Sequence, residues 1–204
     1  MTIQLNTGRS NQKERTRAAI VMTAREAVTS GGEVTMPDVA RRALVSEATA
    51  YRYFPDLASL LREALAGVWD SPENAMEPVA YSGDPVERIG FATEVLLREV
   101  LAYQGAVRAM ISASITKPPV TALRPGRRFG LINEALRPLN DTMAVRHPAQ
   151  FEQLKRGLAV IVSAETLFTL TDLCGLTPEM AIASAIKTAR SLTTAALAET
   201  GHIP

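Results

Sequence analysis

The chain has little of what catalysis, metal binding or secretion would require. It holds one cysteine, Cys174, among 204 residues, which excludes a disulfide framework and fits a reducing compartment. Its two histidines, His147 and His202, lie far apart with no companion thiol near either, so the ligand spacing of a zinc site is missing. There is no Gly-rich phosphate loop, nucleophile elbow or His–carboxylate cluster. The expectation is therefore a non-enzyme with no cofactor and no resident metal. No charged-then-apolar leader opens the chain, and no run of about 18 apolar residues occurs. These absences predict a soluble, cytoplasmic protein with no membrane partner. Internal repeats and low-complexity blocks are missing as well.

What is present is helical. A hydrophobic content of 47% can supply a sizeable core for one domain or two. The formal net charge is only +1, so overall charge announces no partner. Its distribution says more: up to Arg25 the chain carries Arg9, Lys13, Arg15, Arg17 and Arg25 against Glu14 alone, a locally basic start.

Residues 1–10 read as a loose polar tail and 11–29 as a first helix, with Ile20, Ala24, Ala27 and Val28 on its apolar face and Gly31-Gly32 as its stop. Thr35 caps a second helix, of about two turns, with Asp38 three residues on and Pro37 tolerated in the first turn. Leu44-Val45 form a tight connection. Ser46 caps a third helix that Pro55 ends, and Asp56 caps a fourth carrying Leu57, Leu60, Leu61, Ala64, Leu65 and Val68. Residues 70–84 form a Pro/Ser/Gly-rich connector. Helices follow at 85–104 and 105–115, then a Pro-rich loop from Lys117 to Gly126. A helix over 127–145 is bent or broken at Pro138, and two strongly apolar helices cover 149–173 and 178–199. Thr177 caps the last of them.

The stretch ALVSEATAYRYF, residues 43–54, is the informative one. A short helix, a tight turn and a second short helix make a helix-turn-helix, whose second helix can enter the major groove of DNA. Thr49 and Arg52, three apart, share one face of it. Arg can bond a guanine edge, and Thr can bond a base or touch a thymine methyl. Tyrosine hydroxyls can donate to phosphate and so fix orientation without reading sequence. Tyr51 and Tyr53 could instead pack between helices, and Arg52 could be a solvated surface residue. Arg41 and Arg42 read as solvated.

The segment TMPDVARRALVSEATAYRYFPDLASLLREAL, residues 35–65, resembles the DNA-binding region of the TetR/AcrR transcriptional regulators. The resemblance covers about Asn11 to Trp69. Beyond that it rests on the length, order and apolar character of the helices and on LFTLTDLCGLTPEMA before the last one. It implies an all-α chain: an N-terminal three-helix DNA-binding domain over 11–69, fourth connecting helix included, and a C-terminal helical ligand-binding and dimerisation domain over 85–204. It implies a homodimer on a palindromic double-stranded operator and a small-molecule effector. By position, Ser46, Glu47, Ala48, Thr49 and Arg52 would face the groove, Tyr51 and Tyr53 would meet phosphate, and Thr35 is expected among the DNA-binding residues. The chain departs from the family at Leu44, where glycine is usual, and at Leu57, where a phosphate-binding lysine is frequent. The basic N-terminal segment could compensate for the second departure.

In the C-terminal half, Glu165 lies within the otherwise apolar GLAVIVSAETLFTL. It could hold a cationic ligand, or pair across a dimer or with a nearby Lys or Arg. Phe91, Met110, Phe129, Met143 and Phe168 could line a pocket with it, or be ordinary core. The last two helices are apolar on more faces than one chain covers, which predicts a four-helix bundle between two copies. Leu158, Ile161 and Phe168 are expected to face the subunit core. Val160, Ala164, Leu167, Thr171, Ala181, Ala185 and Thr188 are expected at the dimer interface. The leading expectation is a ligand-responsive homodimeric repressor. The alternatives are a helical ligand-binding or adaptor protein without a DNA role, and a helical enzyme.

Overall fold

A computed structural model describes residues 6–30, 34–116 and 126–201. Every regular element among them is helical, and the chain is all-α. The Gly31-Gly32 stop, and all but the last residue of the loop expected from Lys117 to Gly126, lie outside the described residues. The described residues form two compact units. One runs up to Trp69 and regains the chain from Ala102 onward; the other comprises Asp70–Leu101 and the chain from Gly126.

The first unit holds α1 (Asn6–Thr29), α2 (Met36–Arg42), α3 (Glu47–Tyr53), α4 (Leu57–Ala64) and α7 (Gln104–Thr116). Helix α1 starts five residues earlier than the sequence pattern predicts, since Asn6 to Ser10 are helical rather than a loose tail. Side chains set the other boundaries. Thr35 accepts the Asp38 amide at the start of α2, Ser46 that of Thr49 at α3, and Asp56 that of Ser59 at α4. Each cap satisfies a donor that a helix N-terminus leaves orphaned. Ile20, Ala24 and Val28 of α1, Leu60 and Leu61 of α4, and Val107 and Met110 of α7 are buried. Helix α4 packs on both α1 and α7.

Arginines tie α1 to α4. Arg25 donates from Nε to the Ala64 carbonyl at 2.8 Å and from a terminal nitrogen to that of Ala66 at 3.0 Å. These are carbonyls that the end of α4 leaves without helical partners. Arg17 pairs with Glu63 and lies 4.9 Å over the Phe54 ring. Arg17 and Arg25, two of the residues that make the start of the chain locally basic, therefore serve the packing of this unit.

The second unit contains the connector and the remaining helices. Residues 70–84 are not irregular throughout: they hold α5 (Pro72–Ala75) and a 3₁₀ turn (Glu77–Val79). Then come α6 (Pro85–Ala102), α8 (Arg127–Ala135), a 3₁₀ turn (Arg137–Leu139), α9 (Met143–Arg146), α10 (Pro148–Ile161), α11 (Ala164–Phe168), a π-helical turn (Thr169–Leu173) and α12 (Pro178–Glu199). Pro138 does break the 127–145 segment, lying in the 3₁₀ turn. The single helix expected over 149–173 is three pieces. It stops at Val162, and Ser163, extended at φ −150 and ψ 154, caps α11 by accepting the Thr166 amide. Helices α10 and α12 cross closely at Gly157, where a Cβ would stand 2.8 Å from Leu192 Cδ2.

Arginines on α6 and α8 hold the connector. Arg88, 1% exposed, donates to the carbonyls of Ala135 at 3.2 Å and Glu134 at 2.6 Å, and to those of Val79 and Ser82. Burial, and secondarily the charge of Arg137, lower its pKa, while Glu134 opposes them. Arg127 pairs with Glu99 and donates to the Asp70 carbonyl. Pro72 packs where a side chain on Gly130 would be, since a Cβ there would lie 2.6 Å from its Cγ. The connector is thus fastened to α8 along its length.

Candidate nucleic-acid interface

The turn between α2 and α3 is a Schellman motif. The Val45 amide donates to the Ala40 carbonyl at 2.9 Å, and the Leu44 amide to that of Arg41 at 3.2 Å. The motif requires a left-handed residue at Leu44, and Leu44 adopts φ 56. Glycine takes that conformation freely, whereas a leucine there costs roughly 1–2 kcal/mol. The hydrogen bonds of the turn and the packing of α2 on α3 outweigh this cost. Its side chain is 93% exposed, so burial does not repay any of it.

Within α3 one face turns inward. Ala50 is fully buried and small enough for α2 to approach, and Phe54, just past the helix, is buried as well. The opposite face is open: Ser46, Glu47, Ala48, Tyr51 and Arg52 are exposed, and Thr49 and Tyr53 are half-buried. The Arg52 guanidinium lies 5.6 Å from the centre of the Tyr53 ring, so a cation–π contact limits where it can point. Ser46 Oγ and Thr49 Oγ1 are 2.9 Å apart. Glu47 occupies the first turn of α3, where a carboxylate suits the positive helix end.

The other residues considered for DNA contact are placed as follows. Thr35 is half-buried at its cap, with its hydroxyl donating to Asp38 at 2.9 Å. Arg41 pairs with Asp38, and Arg42 lies 3.7 Å from Glu26. All four basic residues of α1 whose side chains are described, Lys13, Arg15, Arg17 and Arg25, are exposed, and Arg17 and Arg25 carry the contacts to α4 described above. Leu57, where the family often has lysine, is half-buried in the first turn of α4.

The fold and the open polar face of α3 define a helix-turn-helix. The model of the family described as bacterial regulatory proteins, tetR family, matches residues 23–64, from the middle of α1 to the end of α4. The chain carries the DNA-binding region of the tetR family and is a DNA-binding transcriptional regulator. No curated protein and no solved structure matches the chain. No helix among the described residues is long and apolar enough to cross a membrane.

The residues expected to line a ligand pocket are placed as follows. Met110 belongs to the N-terminal unit and is buried there. Met143 is fully buried core, and Phe129 is 53% exposed on α8. Phe91, Glu165 and Phe168 are half-buried. Glu165 pairs with Arg128 at 3.1 Å, and Arg128 also donates to the Ala159 carbonyl at 3.1 Å near the end of α10.

The residues expected at the dimer interface are placed as follows. Ala164, Leu167, Ala181 and Ala185 are buried within the single chain, so its own helices cover them. Val160 and Thr188 are exposed, and Thr171, Ile161 and Phe168 are half-buried. Arg88, Arg127 and Arg128 went unnoticed in the sequence. A signal existed for Arg88, which falls on the buried stripe with Pro85, Ala92 and Leu96.

Proposed function

We propose that the chain is a ligand-responsive homodimeric repressor. The observation that carries the DNA part is the outward face of α3, with Glu47, Ala48, Thr49 and Arg52 available from a helix that its neighbours hold rigidly. Tyr51 and Tyr53 flank that face and suit phosphate. A second copy is supported by α12, where Ala183, Ile186, Ala195 and Ala198 form one open face of the helix with Lys187, Arg190, Ser191 and Thr194. Two-fold pairing would set the recognition helices about 34–36 Å apart, one turn of DNA. An effector response is supported by the interrupted helices of the C-terminal unit. The stop at Val162 and the π-helical turn are the kinds of irregularity at which helices repack. An effector would favour a state whose recognition helices no longer match that spacing.

Selection of bound fragments from random duplexes, with sedimentation of the protein alone and on the selected DNA, tests the proposal. A palindromic motif bound by two chains is expected, with affinity that falls steeply as salt rises. A single asymmetric site bound by one chain would overturn the homodimer. Absence of any preferred sequence would overturn the assignment of α3 as the reading helix.

A further inference from the structure

Resting on the reading that α3 enters the major groove, we infer that Thr49 reads thymine through its γ-methyl group and not a base through its hydroxyl. A threonine offers two means of readout, and the structure distinguishes them. Ser46 Oγ accepts the Thr49 amide at 3.2 Å and lies 2.9 Å from the Thr49 hydroxyl. The hydroxyl is therefore engaged in the cap of its own helix. Moving Oγ1 out of reach of Ser46 to meet a base would exchange one hydrogen bond for another and loosen the cap, with little net gain. The methyl is the part of Thr49 with no such role.

The placement suits that use. Thr49 is the third residue of α3, in the N-terminal turn that leads a recognition helix toward base edges. Branching at Cβ stiffens its side chain, and the bond to Ser46 fixes it further, so the methyl is held in one position. The thymine C5-methyl is the apolar mark on a base edge in the major groove. Ala48, exposed beside Thr49, extends the apolar surface without adding a donor. Arg52, three residues on, supplies the polar reading on the same face.

The test uses the intact protein and its selected operator, with each thymine replaced singly by deoxyuridine, which removes only the C5-methyl. Wild-type protein is expected to lose roughly fourfold in affinity at one thymine per half-site, the value of about one buried methyl. Thr49→Val keeps the methyl and should retain that loss. Thr49→Ser keeps the hydroxyl and the cap and should bind thymine and uracil alike at that position. An operator with no methyl-sensitive thymine, or Thr49→Ser discriminating as well as wild type, overturns the inference. So does Thr49→Val losing the discrimination while Thr49→Ser keeps it. Specific binding that ignores the methyl overturns this inference alone, whereas absence of specific binding removes the reading of α3 beneath it.

Discussion

Arg25 lies beyond the middle of α1, yet its Nε donates to the main-chain carbonyl of Ala64, 39 residues later, at 2.8 Å. One side chain thereby closes the end of α4 and fixes α4 against α1. Arg25→Met keeps most of the stem and removes both donors. It should cost about 1–2 kcal/mol. Urea unfolding should show a lower midpoint with an unchanged slope. Arg25→Lys should restore only part of the loss, because an ammonium cannot span two carbonyls as a planar fork does.

The strained turn makes the opposite prediction. Leu44→Gly should stabilise the protein by about 1 kcal/mol, the relief of the left-handed leucine less the added freedom of an unfolded glycine. Nothing is lost in packing, since Leu44 is 93% exposed. Leu44→Val, branched at Cβ, should destabilise. Thermal unfolding of the three proteins under one condition checks the order Gly above Leu above Val.

Two neighbours on α3 should behave differently on DNA. Arg52→Ala should relax preference at one base position per half-site and cost roughly 1–3 kcal/mol there. Tyr53→Phe keeps the ring under Arg52 and removes only the hydroxyl. It should weaken binding to all sequences alike, as a phosphate contact would. Titrations on single-base operator variants separate the two patterns. A uniform loss with Arg52→Ala would place its guanidinium on phosphate instead.

Arg88 is predicted to be a sensitive residue of the C-terminal unit. Arg88→Met would strand several carbonyls that Arg88 now serves, and should destabilise by about 3 kcal/mol. Arg88→Lys should also destabilise, since one ammonium cannot reach both the end of α8 and the connector. Hydrogen exchange should show loss of protection around the 3₁₀ turn Glu77–Val79 and at the end of α8 before α10 and α12 respond.

The exposed face of α12 tests self-association without disturbing the fold. Ala195→Glu would set like charges against each other across a two-fold axis and should yield monomers. Helix content and melting should change little, because Ala195 is exposed in the single chain. Leu167→Lys is a different experiment: Leu167 is 1% exposed, so that variant should fail to fold. A dimeric Ala195→Glu protein would place the subunit contact elsewhere.

The helices of the N-terminal half were readable because their ends carry side-chain signals. Thr35, Ser46 and Asp56 each bond an amide three residues on, and Pro37 and Pro55 leave few other boundaries. Leu44 was readable as a departure, and its backbone angle shows how the turn accommodates it. The break after Ile161 was hidden because Val162 and Ala164 continue the apolar pattern across it. Ser163 looks like a tolerated helix residue until its backbone is seen extended. Apolarity predicted that Ala181 and Ala185 are buried but not that their own chain buries them. The outward face of α3 was legible from spacing, while the engagement of the Thr49 hydroxyl depends on a rotamer that no spacing encodes.

Helix α7 packs on α4, although α5 and α6 are made between them. During synthesis the segments emerge in that order, so the N-terminal unit lacks one wall until residue 116 has left the ribosome. Until then the buried side of α4 waits for its cover, with Leu60 and Leu61 among its residues. Domains usually fold as units as they emerge. Here the reading domain comes to completion only after the first two helices of the other unit have been made.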